Sequence, residues 1–471
     1  MRARPSILTR VMTTELHLED TITAIATPPG EGGVAIVRVS GPESLRIADE
    51  VFRGHGERPS ERLSHVILHG CIVSGSDTLD EVLLMIMRAP HSYTGEDVVE
   101  IQGHGGPVTA RRILRRVLDA GARMAEPGEF TRRAFLNGRM DLLQAEAVLD
   151  LIRSRTDRAA AAAMEQLEGA LSKKLSAIYD ALITAAADVE ATLDFPEEEL
   201  PAETVPEIAA RTAAIGRDMD ALLATWEEGH LLREGALCVI TGKTNVGKST
   251  LLNALLGRRR AIVSPRHGTT RDTIEESVVV DGNLLRIVDT AGLRDSDCEI
   301  ELEGMRRTRD LIGKADVRIH VVDASVEMDE VERAHVRELN PERSVVVLNK
   351  TDLGLLVSRA EISGRRVVEA SLLNGKGVTE TRSAIVDLLS SGVDVHAPPH
   401  AAISERHRNE LDAARAELGK AHELLETGRD DAAALVAQHL RAALEGIGRI
   451  TGRVYGDELL NSVFSRFCIG K

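Results

Sequence analysis

Gly242, Gly247, Lys248 and Ser249 stand in GKTNVGKST (242–250) at the spacing of a phosphate-binding loop. In such a loop small residues let backbone N–H groups face phosphate oxygens, the lysine reaches the β and γ oxygens, and the hydroxyl sits on Mg2+. The apolar run 236–241 before it and LLNALLG after it predict the strand and helix that the motif needs. Asn245, Val246, Gly247, Lys248, Ser249 and Thr250 are therefore candidate contacts for a nucleoside triphosphate, and Lys248 is also a candidate catalytic group.

Three further segments follow in order. GTTRD (268–272) offers Thr270 as the hydroxyl that completes Mg2+ coordination when the γ-phosphate is present. DTAG (289–292) ends a second apolar stretch, so Asp289 can approach the metal shell and the Gly292 amide the γ-phosphate, with Thr290 and Ala291 between them. NKTD (349–352) ends the strand-like SVVVL, and there Asp352, beside Asn349 and Lys350, can accept hydrogen bonds from N1 and the 2-amino group of guanine. Adenine has no such donors, and a site built to hydrogen-bond a group rejects analogues lacking it by roughly ten-thousandfold or more. GTP is the predicted nucleotide. Asp323, after the apolar RIHVV, is read as a strand-end residue outside the site.

Position 293, directly after DTAG, holds Leu rather than the Gln that would orient an attacking water. Leucine cannot hydrogen-bond water, so that task must fall elsewhere. The next segment, RDSDCEIELEG (294–304), is rich in acids, each of which also fits a solvated loop charge.

The elements that must hold these residues are legible as changes of texture. Residues 20–125 mix short β runs (ITAIAT, GVAIVRVS, EVLLMIM, DVVEIQG) with the helix-like VTARRILRRVLDAG, as in a small α+β domain. From 126 to 232 Ala, Leu, Glu and Arg recur at helical spacing, with one long run over 158–194 that Pro196 ends. Strands and helices alternate over 233–390, which predicts a Ras-like, doubly wound, mostly parallel sheet. Helices resume over 391–471, so the nucleotide module reads as an insertion into one helical bundle, and the chain as a multidomain α/β protein.

Composition bounds the rest. A chain of 471 residues holds two to four domains. Its apolar fraction is 43%, and no uncharged apolar run nears the roughly eighteen residues of a membrane span, which predicts a soluble protein without a membrane partner. MRARPSILTR resembles a transit peptide faintly, but Glu15, Glu19 and Asp20 follow closely, so residues 1–19 are read as a poorly ordered extension. Cys71, Cys238, Cys298 and Cys468 form no CxxC pair, which argues against structural zinc and disulfides and for a reducing cytoplasm. With a net charge of −16, a nucleic-acid partner needs a local basic patch. Candidates are Arg111, Arg112, Arg115 and Arg116, and Arg132, Arg133 and Arg139, although each group also fits a solvated helix face. Aromatic residues make up only 2%, which argues against base stacking along a single strand.

Three blocks outside the nucleotide module add a resemblance: DTITAIATPPGEGGVAIVRVSG (20–41), SYTGEDVVEIQGHGGPV with EPGEFTRRAFLNGRMDLLQAEAVLDLI (92–108 and 126–152), and the terminal FCIGK (467–471). With GKTNVGKST, GTTRD, DTAGL and NKTD, the chain resembles the MnmE (TrmE) family of tRNA-modifying GTPases from about residue 20 to its last residue. The resemblance implies modification of the wobble uridine (U34) of tRNA at C5, towards a carboxymethylaminomethyl group, with 5-formyl-tetrahydrofolate or a related reduced folate as one-carbon source. It also implies a homodimer formed through the N-terminal domains, and a separate FAD-dependent, MnmG-type partner in a heterotetramer or larger complex. K+ would help to bring two nucleotide domains together.

By motif position the folate site comprises Arg38, Glu100, Arg139 and Lys471, with Arg139 standing where the family often has Lys. The potassium-binding Asn maps onto Asn245, and the potassium-enclosing segment onto Ser264, Pro265, Arg266, His267, Gly268 and Thr269, with Ser264, Arg266 and Thr269 as further potassium contacts. Ser249 and Thr270 are the implied Mg2+ ligands, and the catalytic acid falls on Glu301, twelve residues after Asp289. SLL (371–373) replaces the usual guanine-contacting SA pair, so Leu372 leaves that base contact weaker or purely backbone. Glu301 would then position the water, and K+ at Asn245 would replace an arginine finger, a device worth about a thousandfold to a hundred-thousandfold.

Other features have rival readings. Cys468 is a candidate nucleophile or redox group, although a lone cysteine is more often a small apolar residue. TPPGEGG (27–33) lacks the helix and Lys of a phosphate loop and reads as a tight turn. GHGGP (103–107) is similar to an esterase oxyanion loop, but no G-x-S-x-G occurs, which leaves His104 structural or folate-adjacent. The rival function is a ribosome-assembly-type regulatory GTPase without modifying activity, which explains neither the folate-type blocks nor FCIGK. An ATPase is opposed by NKTD.

Overall fold

The computed structural model describes residues 20–194, 204–257, 275–289, 311–390, 402–427 and 432–471. These form a multidomain α/β protein that divides into two compact units. One comprises the N-terminal stretch ending at Leu149, Gln166–Leu223 and Arg406–Lys471; the other comprises Asp150–Glu165 and Ala224–Glu405.

The first unit contains a sheet of β1 (Ile22–Ile25), β2 (Val34–Ser40), β3 (Phe52–Gly54), β4 (Val66–Ser74), β5 (Asp77–Met87), β6 (Val98–His104) and β7 (Arg123–Met124). Their order is β3-β4-β5-β6-β2-β1-β7, antiparallel except where β7 joins β1. Because side chains alternate across a strand, Val37, Val39, Val82, Leu84 and Ile86 point to one face. There they meet Ile47 of the helix Ser44–Val51 and Ile113, Leu114 and Val117 of the helix Pro107–Asp119. The intervening residues of β2 and β6 put Arg38 and Glu100, which pair across these strands, on the opposite face. The helix Ser44–Val51 and the strands β3 and β4 were not among the expected elements, since VILHGCIVS has no run of branched residues long enough to stand out.

The helical part of this unit packs by a three-four spacing. Leu171, Leu175, Ile178, Leu182, Ala185 and Val189 are buried along the helix Ala170–Asp194, and Val436, Leu440, Ala443, Ile447 and Ile450 along Ala433–Thr451. The expected single run over 158–194 is instead two helices, Asp157–Leu167, most of which belongs to the other unit, and Ala170–Asp194. Gly169 separates them at φ +87°, a left-handed turn that ends the first helix where any other side chain would be strained.

The second unit contains β8 (Ala236–Thr241), β9 (Glu275–Val280), β10 (Asn283–Asp289), β11 (Val317–Asp323), β12 (Ser344–Asn349) and β13 (Arg366–Glu369) in the order β13-β12-β11-β8-β10-β9. All pairings are parallel but β9 with β10, so the expected mostly parallel, doubly wound sheet is present. Strands such as CVI and VVVL are apolar on both sides, as a sheet covered on both faces requires. The order reverses between β8 and β11, and ligands of such sheets bind outside the carboxyl ends of the strands at that point. Among the described residues no helix is long and apolar enough to cross a membrane.

Candidate functional site

The carboxyl ends of four strands in the second unit carry the motif residues. After β8 the chain turns through Gly242 at φ +136° and Asn245 at φ +61°, then enters the helix Lys248–Leu256 from Gly247 at φ +107°. A Cβ at Gly242 would lie 2.3 Å from the Val321 carbonyl oxygen, and one at Gly247 would lie 2.3 Å from Asn349 Nδ2. Both glycines are thus required by close approach as well as by backbone angle. The helix begins directly at the loop, and the dipole and first-turn N–H groups of a helix N-terminus suit an anion. Lys248 is nearly buried, and its ammonium donates to the Lys243 carbonyl at 2.5 Å, so it lies folded along the loop.

Ser249 Oγ donates to Asp289 Oδ2 at 3.0 Å, which joins the loop to the end of β10. A hydroxyl and a carboxylate at this separation are hard oxygen donors of the kind that Mg2+ takes with phosphate, so the pair fits the ion. Among the described residues no group of three His, Cys, Asp or Glu side chains forms a metal site of protein ligands alone.

The NKTD segment leaves β12 with Asn349 buried. Asn349 Nδ2 donates to the Val246 carbonyl at 2.8 Å, and its Oδ1 accepts from the Leu372 backbone at 3.0 Å. Leu372 itself is packed in the core, so it meets the site through its backbone, while Leu373 is exposed. Asp352 is exposed two residues beyond Lys350. Lys350 Nζ donates to Asp323 Oδ2 at 2.6 Å. Burial would raise the Asp323 pKa, but hydrogen bonds from Lys350 and Ser325 outweigh it and hold the carboxyl below its usual range.

Sequence reasoning also missed a chain of contacts behind the loop. Lys243 pairs with Asp329 and Glu332, buried Glu332 bonds His320 Nε2 at 2.9 Å, and His320 Nδ1 meets Thr241 Oγ1 at 2.9 Å. Nothing in the local sequence marks it, because β11 and the helix Glu330–Arg337 supply its members.

In the first unit the four residues expected at a folate site come together from four segments. Arg38 Nε donates to Glu100 Oε1 at 2.8 Å on the face away from the helices Ser44–Val51 and Pro107–Asp119. The Arg38 guanidinium carbon lies 5.4 Å from the centre of the Tyr93 ring and 5.5 Å from that of Phe130. Arg139 Nε donates to the Ser92 carbonyl at 3.2 Å, and burial first raises the Tyr93 pKa while Thr131, Arg38 and Arg139 oppose it. The C-terminal segment arrives through two glycines: a Cβ at Gly128 would lie 2.5 Å from the Phe464 carbonyl, and one at Gly470 2.4 Å from that of Ile25. Burial and then the neighbouring Arg38 hold the Lys471 ammonium below the usual lysine value, while Glu100 and Cys468 act the other way. Cys468 is an exposed free thiol whose carbonyl accepts from Lys471 N at 3.3 Å. Tyr93 and Phe130 were not expected there; they adjoin the motif residues only through the fold.

Other expectations separate. Arg111, Arg112 and Arg115 are exposed along one helix, whereas Arg116 bonds Glu50 and Arg133 is buried among Asp20, Glu96 and Glu129. The solvated-face reading therefore does not apply to Arg133. His104 is exposed and bonded to Asp80, which raises its pKa. Glu301, Leu293, Cys298, Ser264, Pro265, Arg266, His267, Gly268, Thr269, Thr270, Thr290, Ala291 and Gly292 lie outside the described residues.

Two family models match: "MnmE helical domain" over residues 142–468 and "GTP-binding protein TrmE N-terminus" over residues 21–139. A protein of Geobacter metallireducens named tRNA modification GTPase MnmE is 44% identical, covering 97% of this chain and all of that protein. One of the same name from Symbiobacterium thermophilum is 45% identical over 96% of this chain and all of its own. The solved G domain of the T. maritima FeoB iron transporter is 25% identical with a TM-score of 0.26, covering 32% of this chain and 98% of that one.

Proposed function

The chain belongs to the MnmE family of tRNA modification GTPases, and from that premise we propose that it modifies the wobble uridine U34 at C5 with a one-carbon unit from a reduced folate. It is a GTP hydrolase with a role in tRNA modification. The observation that supports the finer reading most is the meeting of Arg38, Glu100, Arg139 and Lys471 with the Tyr93 and Phe130 rings. Cations beside aromatic rings suit a ligand that is flat at one end and carboxylated at the other. A reduced folate, 5-formyl-tetrahydrofolate among them, has that form and would supply the carbon. Cys468, an exposed thiol in the same segment, is a nucleophile or redox candidate for the carbon's transfer.

In the nucleotide unit, the glycines of the loop and Asn245, Val246 and Thr250 would line the phosphates, and Lys248 would turn from the Lys243 carbonyl to the β and γ oxygens. Ser249 and Thr270 would hold Mg2+, with Asp289 behind Ser249; the ion would supply positive charge to the phosphates. Asp352 would read guanine, Asn349 would keep the two loops together, and Glu301 would orient the attacking water in place of a glutamine. Asn245, with Ser264, Arg266 and Thr269, would hold K+, whose charge would take the part of an arginine finger.

We read residues 20–125 as a folate-binding and dimerisation domain, and 233–390 as a nucleotide domain inserted between helical parts 126–232 and 391–471. A homodimer with an FAD-dependent, MnmG-type partner in the cytoplasm completes the reading. Mass spectrometry of wobble uridines from cells lacking the protein tests it: loss of the C5 group is expected, and unchanged uridines would leave only the GTPase.

A further inference from the structure

Lys350 has φ +65°, the left-handed region that a side chain other than glycine enters at a cost of about 1 kcal/mol. A conformation of that kind persists only where its surroundings hold it. Asp323 supplies the hold. Its Oδ2 accepts from Lys350 Nζ at 2.6 Å, and its Oδ1 accepts from the Ser325 backbone at 3.0 Å and from Ser325 Oγ at 2.6 Å. The carboxylate is therefore fixed through both oxygens, and its partner's side chain is only one-third exposed.

The backbone is tied in the same place. Asp323 lies opposite Asn349 in the parallel register of β11 and β12, and Ala324 N donates to the Asn349 carbonyl at 2.7 Å. Beyond Lys350 the loop closes through Leu353 N to the Lys350 carbonyl at 2.9 Å and Thr351 N to the Ala370 carbonyl at 3.1 Å. Asp352 is carried, exposed, on that short turn. Where Lys350 sits thus decides where Asp352 points.

We propose that Asp323 is a positioning residue for guanine recognition: by anchoring Lys350 it aims the Asp352 carboxylate at the base. This rests on the assignment of Asp352 to guanine. Asp323 acts through Lys350 rather than on the nucleotide itself, whereas a strand-end carboxylate of merely structural role would weaken binding of every nucleotide alike.

The test measures Mg2+-GDP and Mg2+-IDP binding to the full chain. IDP lacks the 2-amino group, so it loses one of the two hydrogen bonds to Asp352 and reports the aim of that carboxylate. D323A should raise the Kd of GDP about tenfold and narrow the GDP-over-IDP preference, with D323N, which keeps the shape should alanine fail to fold, between it and wild type. A double variant D323A/K350M should bind no worse than the poorer single variant, since both changes break one contact. Equal losses for GDP and IDP, additive losses in the double variant, or an unchanged Kd would overturn the proposal. D352N run in parallel separates the two assumptions: if it leaves the GDP-over-IDP preference intact, the base assignment fails; if it abolishes the preference while D323A and D323N do not alter it, Asp323 alone is wrong.

Discussion

Asn349 Nδ2 donates to the Val246 carbonyl at 2.8 Å, so the loop after β8 and the loop after β12, the proposed phosphate and base loops, are joined by one buried side chain. The other end of the same amide holds the Leu372 backbone at 3.0 Å. Three loops that share no local sequence are thereby registered to each other.

Asn349→Ala removes both bonds and leaves the Val246 carbonyl and the Leu372 amide buried without a partner, at about 1 to 3 kcal/mol each. The expected result is a drop of tenfold or more in GDP affinity together with a lower unfolding temperature, read by calorimetry on the same preparation. Wild-type affinity would mean that the loops hold their places without this amide.

Glu146 makes a second prediction, about stability. Its carboxylate takes Arg406 Nε at 2.8 Å, Arg406 Nη2 at 3.0 Å and His407 Nε2 at 2.5 Å, and Arg406 continues to the carbonyls of Arg449 and Ile450. Burial would raise its pKa, but His407 and Arg406 outweigh burial and hold it far below the usual 4.5. A depressed folded pKa contributes stability that is full above the unfolded value and lost as pH falls below it. Glu146→Gln should cost about 3 kcal/mol at neutral pH, and its deficit against wild type, from denaturant titrations, should shrink as pH drops below about 4. A deficit independent of pH would assign the loss to packing.

What is contiguous in the chain is legible in the sequence, and what only the fold brings together is not. Phosphate-loop residues are contiguous, so the spacing alone gives the strand, the turn and the helix Lys248–Leu256. The alternation of strands and helices likewise gives the parallel sheet, because a chain must cross over to lay the next parallel strand. Asp323 and Lys350 stand twenty-seven residues apart, and only the register of β11 against β12 brings them together. Tyr93 and Phe130 reach Arg38 by the same kind of long-range placement. Gly169 is different: its turn is local, yet alanine-rich flanks of high helix propensity hide one glycine. Arg133 and Arg112 look alike in sequence, and burial among three carboxylates separates them.

Leu293 and Glu301, outside the described residues, carry the third prediction. With no glutamine to orient water, Glu301→Ala should slow single-turnover GTP hydrolysis about a hundredfold or more while leaving GDP affinity within twofold. The measurement is made at saturating K+, so that a weakened ion site does not imitate the loss. Hydrolysis at the wild-type rate would send the search to the neighbouring acids of 294–304.

The C-terminal segment separates a modifying enzyme from a regulatory GTPase of the ribosome-assembly kind. Lys471 lies within electrostatic reach of Arg38, Glu100 and Cys468, and burial already disfavours its charge. A carboxylated ligand between Arg38 and Lys471 would favour the charged ammonium, so binding should strengthen as pH falls through the lowered lysine value. Lys471→Met keeps the apolar stem and removes the ammonium; it should lose about tenfold in affinity for 5-formyl-tetrahydrofolate and lose the pH dependence. Removal of residues 468–471 should abolish wobble modification while GTP turnover persists. A regulatory GTPase would be indifferent to both changes, and folate binding that ignores Lys471 would place the ligand elsewhere on the sheet.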